Sequence, residues 1–199
     1  MTAELTARPL HVATEPGIDL PGAERAVRDL MTALRLDTDD PVLAKTPGRV
    51  ARAFSEMLSP REFGLTTFPN DEGYDELVVA RDIPFTSLCE HHLLPFSGTA
   101  AVGYLPGNRI LGLSKLARVV EMFARRTQVQ ERMTTQVASW LDQHLHPRGV
   151  GVVLRAEHTC MTVRGVQARG SSTVTSALLG VVRDDPRTRQ EFLTIATDA

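Results

Sequence analysis

Cys89-Glu90-His91-His92 and His158-Thr159-Cys160 hold both cysteines of the chain and three of its six histidines. Thiolate sulfur and imidazole nitrogen are the donors that zinc prefers. Cys89 and His92 are spaced to reach one ion from a tight turn. His158 and Cys160 are two apart, so on an extended segment both side chains emerge on the same face. An ion held by Cys89, His92 and Cys160 keeps one coordination position for water. That is the catalytic pattern, in which zinc lowers the pKa of water to about 7 and supplies a nucleophile at neutral pH. Two other readings stand beside it at this point. The two cysteines could be unrelated buried thiols, which are common core residues. Alternatively, His158 could be a fourth ligand that closes a structural Cys2His2 shell. The spacing lacks the paired CxxC and HxxxH of zinc fingers, and the His-x-Glu with Pro-Cys-x-x-Cys of zinc deaminases is absent.

A second group of residues is suited to an anion. Ser114-Lys115-Leu116-Ala117-Arg118 opens a helix with two cations and no acid before Glu121. Cations at a helix N-terminus oppose the macrodipole, at a cost of about 0.3–1 kcal/mol each, and a broken local rule points to function. Backbone N–H groups, the Ser114 hydroxyl, Lys115 and Arg118 could together hold a phosphate chain; the plain alternative is a solvated basic face. Arg164, four residues past Cys160, and Arg49 are further candidate cations. Gln128-Val129-Gln130-Glu131-Arg132 begins the next helix. A carboxylate there accepts two hydrogen bonds side by side, which suits guanine N1 and N2. The ordinary alternative is an acid in the first turn of a helix.

The elements that must position these residues follow from periodicity. Residues 1–20 read as a mobile arm. Val27, Leu30, Met31 and Leu34 mark a helix over Gly22–Leu36, and Thr46-Pro47 reads as an N-cap with proline at the first position of a helix to about Leu58. Ser59–Tyr74 reads as a loop. Beyond it the order is strand, strand, helix, helix, strand, strand: from Leu77, over Thr99–Leu105, from a Ser114 cap with Leu116, Val119, Val120 and Phe123 inward, over Gln128–Leu145, then Val150–Ala156 and Thr173–Val182. Thr188 and Glu191 form a capping box for a last short helix. The fold class is α+β: an antiparallel sheet with helices on one side. The division is an arm over 1–20, a helical region over 21–75 and a catalytic domain over 76–199.

Composition narrows the function class. At 199 residues and 42% hydrophobic, the chain can bury a sizeable core. A net charge of −2 gives no global field for nucleic acid or an anionic membrane. No apolar run approaches the roughly 18 residues of a membrane span. Two cysteines are too few for a disulfide framework, and no basic stretch precedes an apolar core near Met1. A cytoplasmic location is therefore expected.

Four blocks, Cys89-Glu90-His91-His92, Gly112-Leu113-Ser114-Lys115-Leu116-Ala117-Arg118, Gln128-Val129-Gln130-Glu131-Arg132 and His158-Thr159-Cys160 through Arg164-Gly165-Val166, resemble GTP cyclohydrolase I in order and spacing. The similarity runs from about Pro21 onward. It implies the tunnelling fold, an antiparallel four-stranded sheet with two helices on one face, preceded here by the N-terminal helical pair. It also implies hydrolysis of GTP to 7,8-dihydroneopterin triphosphate and formate, a step of pterin biosynthesis. By position, Cys89, His92 and Cys160 would hold Zn2+, and activated water would attack guanine C8 while His91 and His158 move protons. A second hydrolysis would release formate, and an Amadori-type rearrangement would precede ring closure, with no redox cofactor. Glu131 would read the guanine edge with help from Gln130. Ser114, Lys115, Arg118 and Arg164 would hold the triphosphate, and Arg49 with Arg52 would add charge from a neighbouring subunit. The resemblance further implies a homodecamer with active sites between subunits. Residues 1–20 and Gly170-Ser171-Ser172 carry no assigned role.

Overall fold

The computed structural model describes residues 8–9 and 17–197. Most of the expected arm, residues 1–7 and 10–16, lies outside the described residues. The chain forms two compact units, residues 11–59 and the remainder, residues 1–10 with 60–199.

The smaller unit contains α1 (Leu20–Ala33) and α2 (Thr46–Met57), which pack on each other. Both helices begin earlier than local signals indicate. Asp19 caps α1 by accepting from the Gly22 N–H at 2.9 Å. In α2 the cap is Lys45, so Thr46 lies inside the helix and makes no capping hydrogen bond. Of the apolar stripe on α1, Met31 is buried and Val27 half-buried, while Leu30 and Leu34 are exposed.

In the larger unit, β1 (Arg8–Pro9) pairs with β2 (Gly64–Leu65), and β3 (Thr67–Pro69) pairs with β6 (Arg109–Leu111). The segment expected to be a loop thus contains two short strands, because Arg8–Pro9 and Arg109–Leu111 supply partners from distant parts of the chain. The main sheet has the order β7 (Thr127–Gln128), β4 (Val78–Cys89), β5 (Pro95–Leu105), β8 (Gly149–His158), β9 (Thr173–Gly180). The four long strands are antiparallel, as expected; the short β7 joins parallel at the β4 edge. Strands alternate in side-chain direction. Ala100, Val102, Tyr104, Val150, Val152 and Leu154 therefore line one face, and all are essentially inaccessible to solvent. Their cover is α3 (Ser114–Ala124) and α4 (Gln130–Leu145). Inward residues of α3 include Leu116, Val119, Val120 and Met122, with Phe123 only half-buried; α4 turns in Met133, Val137, Trp140 and Leu141.

A third helix covers part of the opposite face, where none was expected. After α5 (Thr159–Thr162) and α6 (Val181–Asp184) comes α7 (Pro186–Thr197), whose Phe192 is fully buried with Ala101, Val153 and Val182. The ring lies over Gly103 and Gly151, which face it across the β5–β8 pair; a Cβ on Gly151 would come within 2.5 Å of Phe192. The start of α7 also differs from the expected capping box. Asp185 accepts from the Thr188 N–H at 2.8 Å and its hydroxyl at 2.6 Å, so Thr188 is a recipient of the cap.

Gly151→Ala should destabilise the protein by about 1–3 kcal/mol, since Phe192 must leave a close-packed position; denaturant unfolding measures this, and wild-type stability would refute the packing argument. The hydrogen bonds from Thr188 hold the Asp185 carboxyl below the usual aspartate range. Its stabilising contribution is therefore complete above the ordinary value of about 3.9 and is lost as pH falls through the lower folded value. Asp185→Asn, which can still cap, should flatten the acid side of the stability profile in melting experiments between neutral and strongly acidic pH.

Candidate metal centre

The chain builds this site at one end of the main sheet, with β5 as spacer between the two ligand segments. Cys89 ends β4, and the chain returns through residues 90–94 to β5. The Leu93 N–H donates to Cys89 O at 2.8 Å, and the Cys89 N–H donates to Leu94 O at 2.8 Å. Leu93 takes a left-handed conformation (φ 53°) to close this turn. On the other side of β5, His158 ends β8 directly opposite Phe96. The Thr159 hydroxyl donates to Pro95 O at 2.6 Å, fastening the second ligand segment to the start of β5. Cys160 lies in the helical turn α5, so the expectation of an extended His158–Cys160 segment is corrected: the chain leaves the sheet after His158, and the two side chains are not on one strand face.

The donor atoms of Cys89, His92 and Cys160 lie within 4.8 Å of one another. That is close to the span bridged by an ion bonded at about 2.3 Å to sulfur and about 2.0–2.1 Å to nitrogen. Among the described residues this three-donor group contains neither His158 nor a carboxylate. Cys89 is buried, Cys160 half-buried and His92 exposed. Burial, together with the neighbouring Cys89 sulfur, pushes the Cys160 thiol up, while Arg164 opposes the shift. Two thiolates at this separation repel each other, and a cation between them removes the conflict. The residues present therefore fit a soft or borderline divalent metal.

Titratable groups border the donor set. His158 stacks on Phe96, with ring centroids 4.4 Å apart and planes 4° from parallel. Burial lowers its affinity for a proton; the Glu131 charge, close by at the start of α4, raises it. His91 is exposed and meets His92 edge to face at 6.3 Å. Arg164 is exposed and close enough to act on Cys160.

Three of the expected binding residues have surroundings that the sequence did not indicate. Gln130 is 2% exposed. Its amide nitrogen donates to Leu154 O, Thr173 O and Thr175 Oγ1, and its amide oxygen meets His158 Nε2. The side chain therefore faces the interior. Ser114 is the first residue of α3 and makes no capping hydrogen bond; the cap is Leu113. Arg118 pairs at 3.1 Å with Glu121, which also meets Arg61 and Arg125. Lys115 extends over the Phe63 ring, 6.0 Å from its centroid.

Ser114, Lys115 and Arg118, at the start of α3, are not beside the metal donors of the same chain, whereas Arg164 is. Gln128, just after α3, pairs with Cys89. The helix therefore ends beside the metal group and begins roughly 15 Å away along its axis, at a rise of about 1.5 Å per residue. Arg49 and Arg52 are exposed residues of α2 in the smaller unit.

Three positioning contacts had no local sequence signal. Arg132 forms a short ion pair with Glu90, inside the ligand turn, and also donates to Gln128 Oε1 and Thr127 O. The Glu90 N–H donates to Gln128 O at 3.0 Å. Phe96 supplies the surface on which His158 lies.

Fold and site together define an α+β protein with a Cys2His donor set bordered by titratable side chains. The chain belongs to the GTP cyclohydrolase I family, whose profile matches residues 23–197. It is 51% identical to GTP cyclohydrolase 1 of Thermobifida fusca over 182 residues, covering 89% of this chain and 88% of that one. Identity to GTP cyclohydrolase 1 of Aquifex aeolicus is 49% over 88% of this chain and 96% of the relative. The Rattus norvegicus protein of that name is 47% identical over 89% of this chain and 76% of its own length.

Arg132→Met should remove the clamp on the ligand turn and weaken metal retention about tenfold, the lower end for groups that orient metal ligands. Competition with a chromophoric chelator measures it, and an unchanged affinity would show that the Glu90 pair does not order the donors.

Proposed function

We propose that this protein converts GTP and water into 7,8-dihydroneopterin triphosphate and formate, with Zn2+ held by Cys89, His92 and Cys160. One observation carries the reading: in a chain of this family, two sulfurs and an imidazole converge within 4.8 Å beside His158. When bound, the ion supplies Lewis acidity that makes water nucleophilic near neutral pH.

The remaining work falls to the chain's own residues. The Glu131 carboxylate accepts from guanine N1–H and N2–H, and adenine, which lacks that donor pair, leaves it unsatisfied. His158 and His91 carry protons to and from the imidazole ring as it opens at C8. One water opens the ring and a second releases C8 as formate. The ribose then isomerises to a ketone, and condensation with the freed amine closes the new ring and expels one water.

The triphosphate needs cations. Arg164 is beside the donor set, but Ser114, Lys115 and Arg118 are at the far end of α3 from Cys89. They serve the site when a second copy presents its α3 N-terminus there. This supports a homo-oligomer with shared sites, the homodecamer implied by resemblance, in which Arg49 and Arg52 come from a neighbouring subunit. No helix among the described residues is long and apolar enough to cross a membrane. The expected cytoplasmic location, and a function without nucleic acid or membrane partners, are part of this reading.

Zinc-loaded protein supplied with GTP should yield formate and, after oxidation, a fluorescent pterin in equal amounts. Cys89→Ser and Lys115→Ala should each abolish at least about 99% of turnover, on the scale expected when an activated nucleophile or transition-state charge partner is lost. Co-refolding the two variants should restore a measurable fraction, because some shared sites then receive an intact cysteine from one chain and an intact lysine from another. Recovery no greater than the sum of the separate variants would refute the shared site, and wild-type turnover by Cys89→Ser would refute the role of the metal.

A further inference from the structure

The hydrogen bonds around Gln130 have only one consistent direction, and that direction fixes which nitrogen of His158 carries a proton. Two neighbours of the Gln130 amide are backbone carbonyls, Leu154 O at 3.2 Å and Thr173 O at 3.1 Å. A carbonyl only accepts, so the group facing them is the NH2. The amide oxygen is therefore the atom 2.7 Å from His158 Nε2. An amide oxygen only accepts, so His158 Nε2 donates.

The hydroxyls agree. Thr134 donates to Gln130 O at 2.7 Å, so its oxygen receives the 2.7 Å contact from the Thr175 hydroxyl. With that proton committed, Thr175 Oγ1 is an acceptor for the Gln130 amide at 3.1 Å. No step in the chain reverses without setting two acceptors or two donors against each other. Gln130 is 2% and Thr134 1% exposed, so water does not compete for these bonds. The stacked Phe96 ring fixes the imidazole plane and cannot accept the Nε2 proton in its place.

We propose that Gln130 is a positioning residue: its amide oxygen accepts from His158 Nε2–H, so that this nitrogen keeps its proton and the ring turns its Nδ1 edge to the substrate. The inference deepens the reading of His158 given above and rests on it for the substrate step. Gln130 contacts no substrate; it acts through the histidine.

The test is 15N solid-state NMR of the full-length, zinc-loaded protein labelled at histidine, with His158 assigned as the resonance pair missing in His158→Gln. Wild-type His158 should show a protonated Nε2 without GTP present. Gln130→Met, of similar volume and without an acceptor, should give a mixture of tautomers. It should also lower kcat about 10²-fold, the scale of a mispositioned acid–base group, with KM for GTP unchanged within about twofold. A wild-type His158 with a bare Nε2 overturns the proposal, and this result needs no variant to fold. An unchanged tautomer in Gln130→Met, or a loss confined to KM, overturns it equally. Failure of the wild type to turn over GTP would strike the catalytic reading alone, because the tautomer is read without turnover.

Discussion

Two sulfur atoms that repel once ionised are held within reach of each other, and the rest of the architecture makes that arrangement tolerable. Cys89 and Cys160 are far apart in sequence, yet each belongs to a segment anchored to the beginning of β5. Register does the work: because Leu88 pairs with Pro95 and Phe96 with His158, β4 and β8 finish level with each other on either side of β5. The left-handed Leu93 and the Glu90–Arg132 pair then hold the first segment's turn. A sheet strand is a stiff ruler, and the donor set inherits its precision from three of them.

The same end of the sheet carries groups with opposed electrostatic needs. His158 is partly desolvated against Phe96, which favours its neutral form, and the carboxylate of Glu131 pulls the other way. Arg164 supplies positive charge beside the sulfurs. A cation, an acid, a base and a metal donor set thus share a small region, while Lys115 and Arg118 are displaced to the other end of α3. The division follows from chain direction: α3 ends where β7 must pair with Cys89, so its positive N-terminal pole has to point away.

The metal donors were legible because cysteine and histidine are chemically distinctive at any address, and the helix stripes because periodicity is local. Contacts formed across the chain were not. Arg132 and Glu90 are 42 residues apart, and either alone reads as a surface charge. Phe96 faces His158 through a register that no single strand encodes. Gln130 looked like a polar residue at the exposed start of a helix, but four tertiary partners draw it inward and override that prior. Helix starts shifted for the same reason: Thr46, Ser114 and Thr188 are good capping residues, yet each lies inside its helix, and Lys45, Leu113 and the Asp185 carboxylate precede them. A threonine or serine marks the neighbourhood of a helix start; the tertiary path decides the residue.

The placement of Phe192 over Gly103 and Gly151 has a bearing on biogenesis. These glycines leave a shallow trough in the sheet that only a side chain from α7, among the last elements to be synthesised, fills. Without that helix, Ala101 and Val153 would be uncovered on the back of the sheet. A chain cut before residue 186 would offer this patch to chaperones or to other cut chains, so α7 doubles as a guard against self-association.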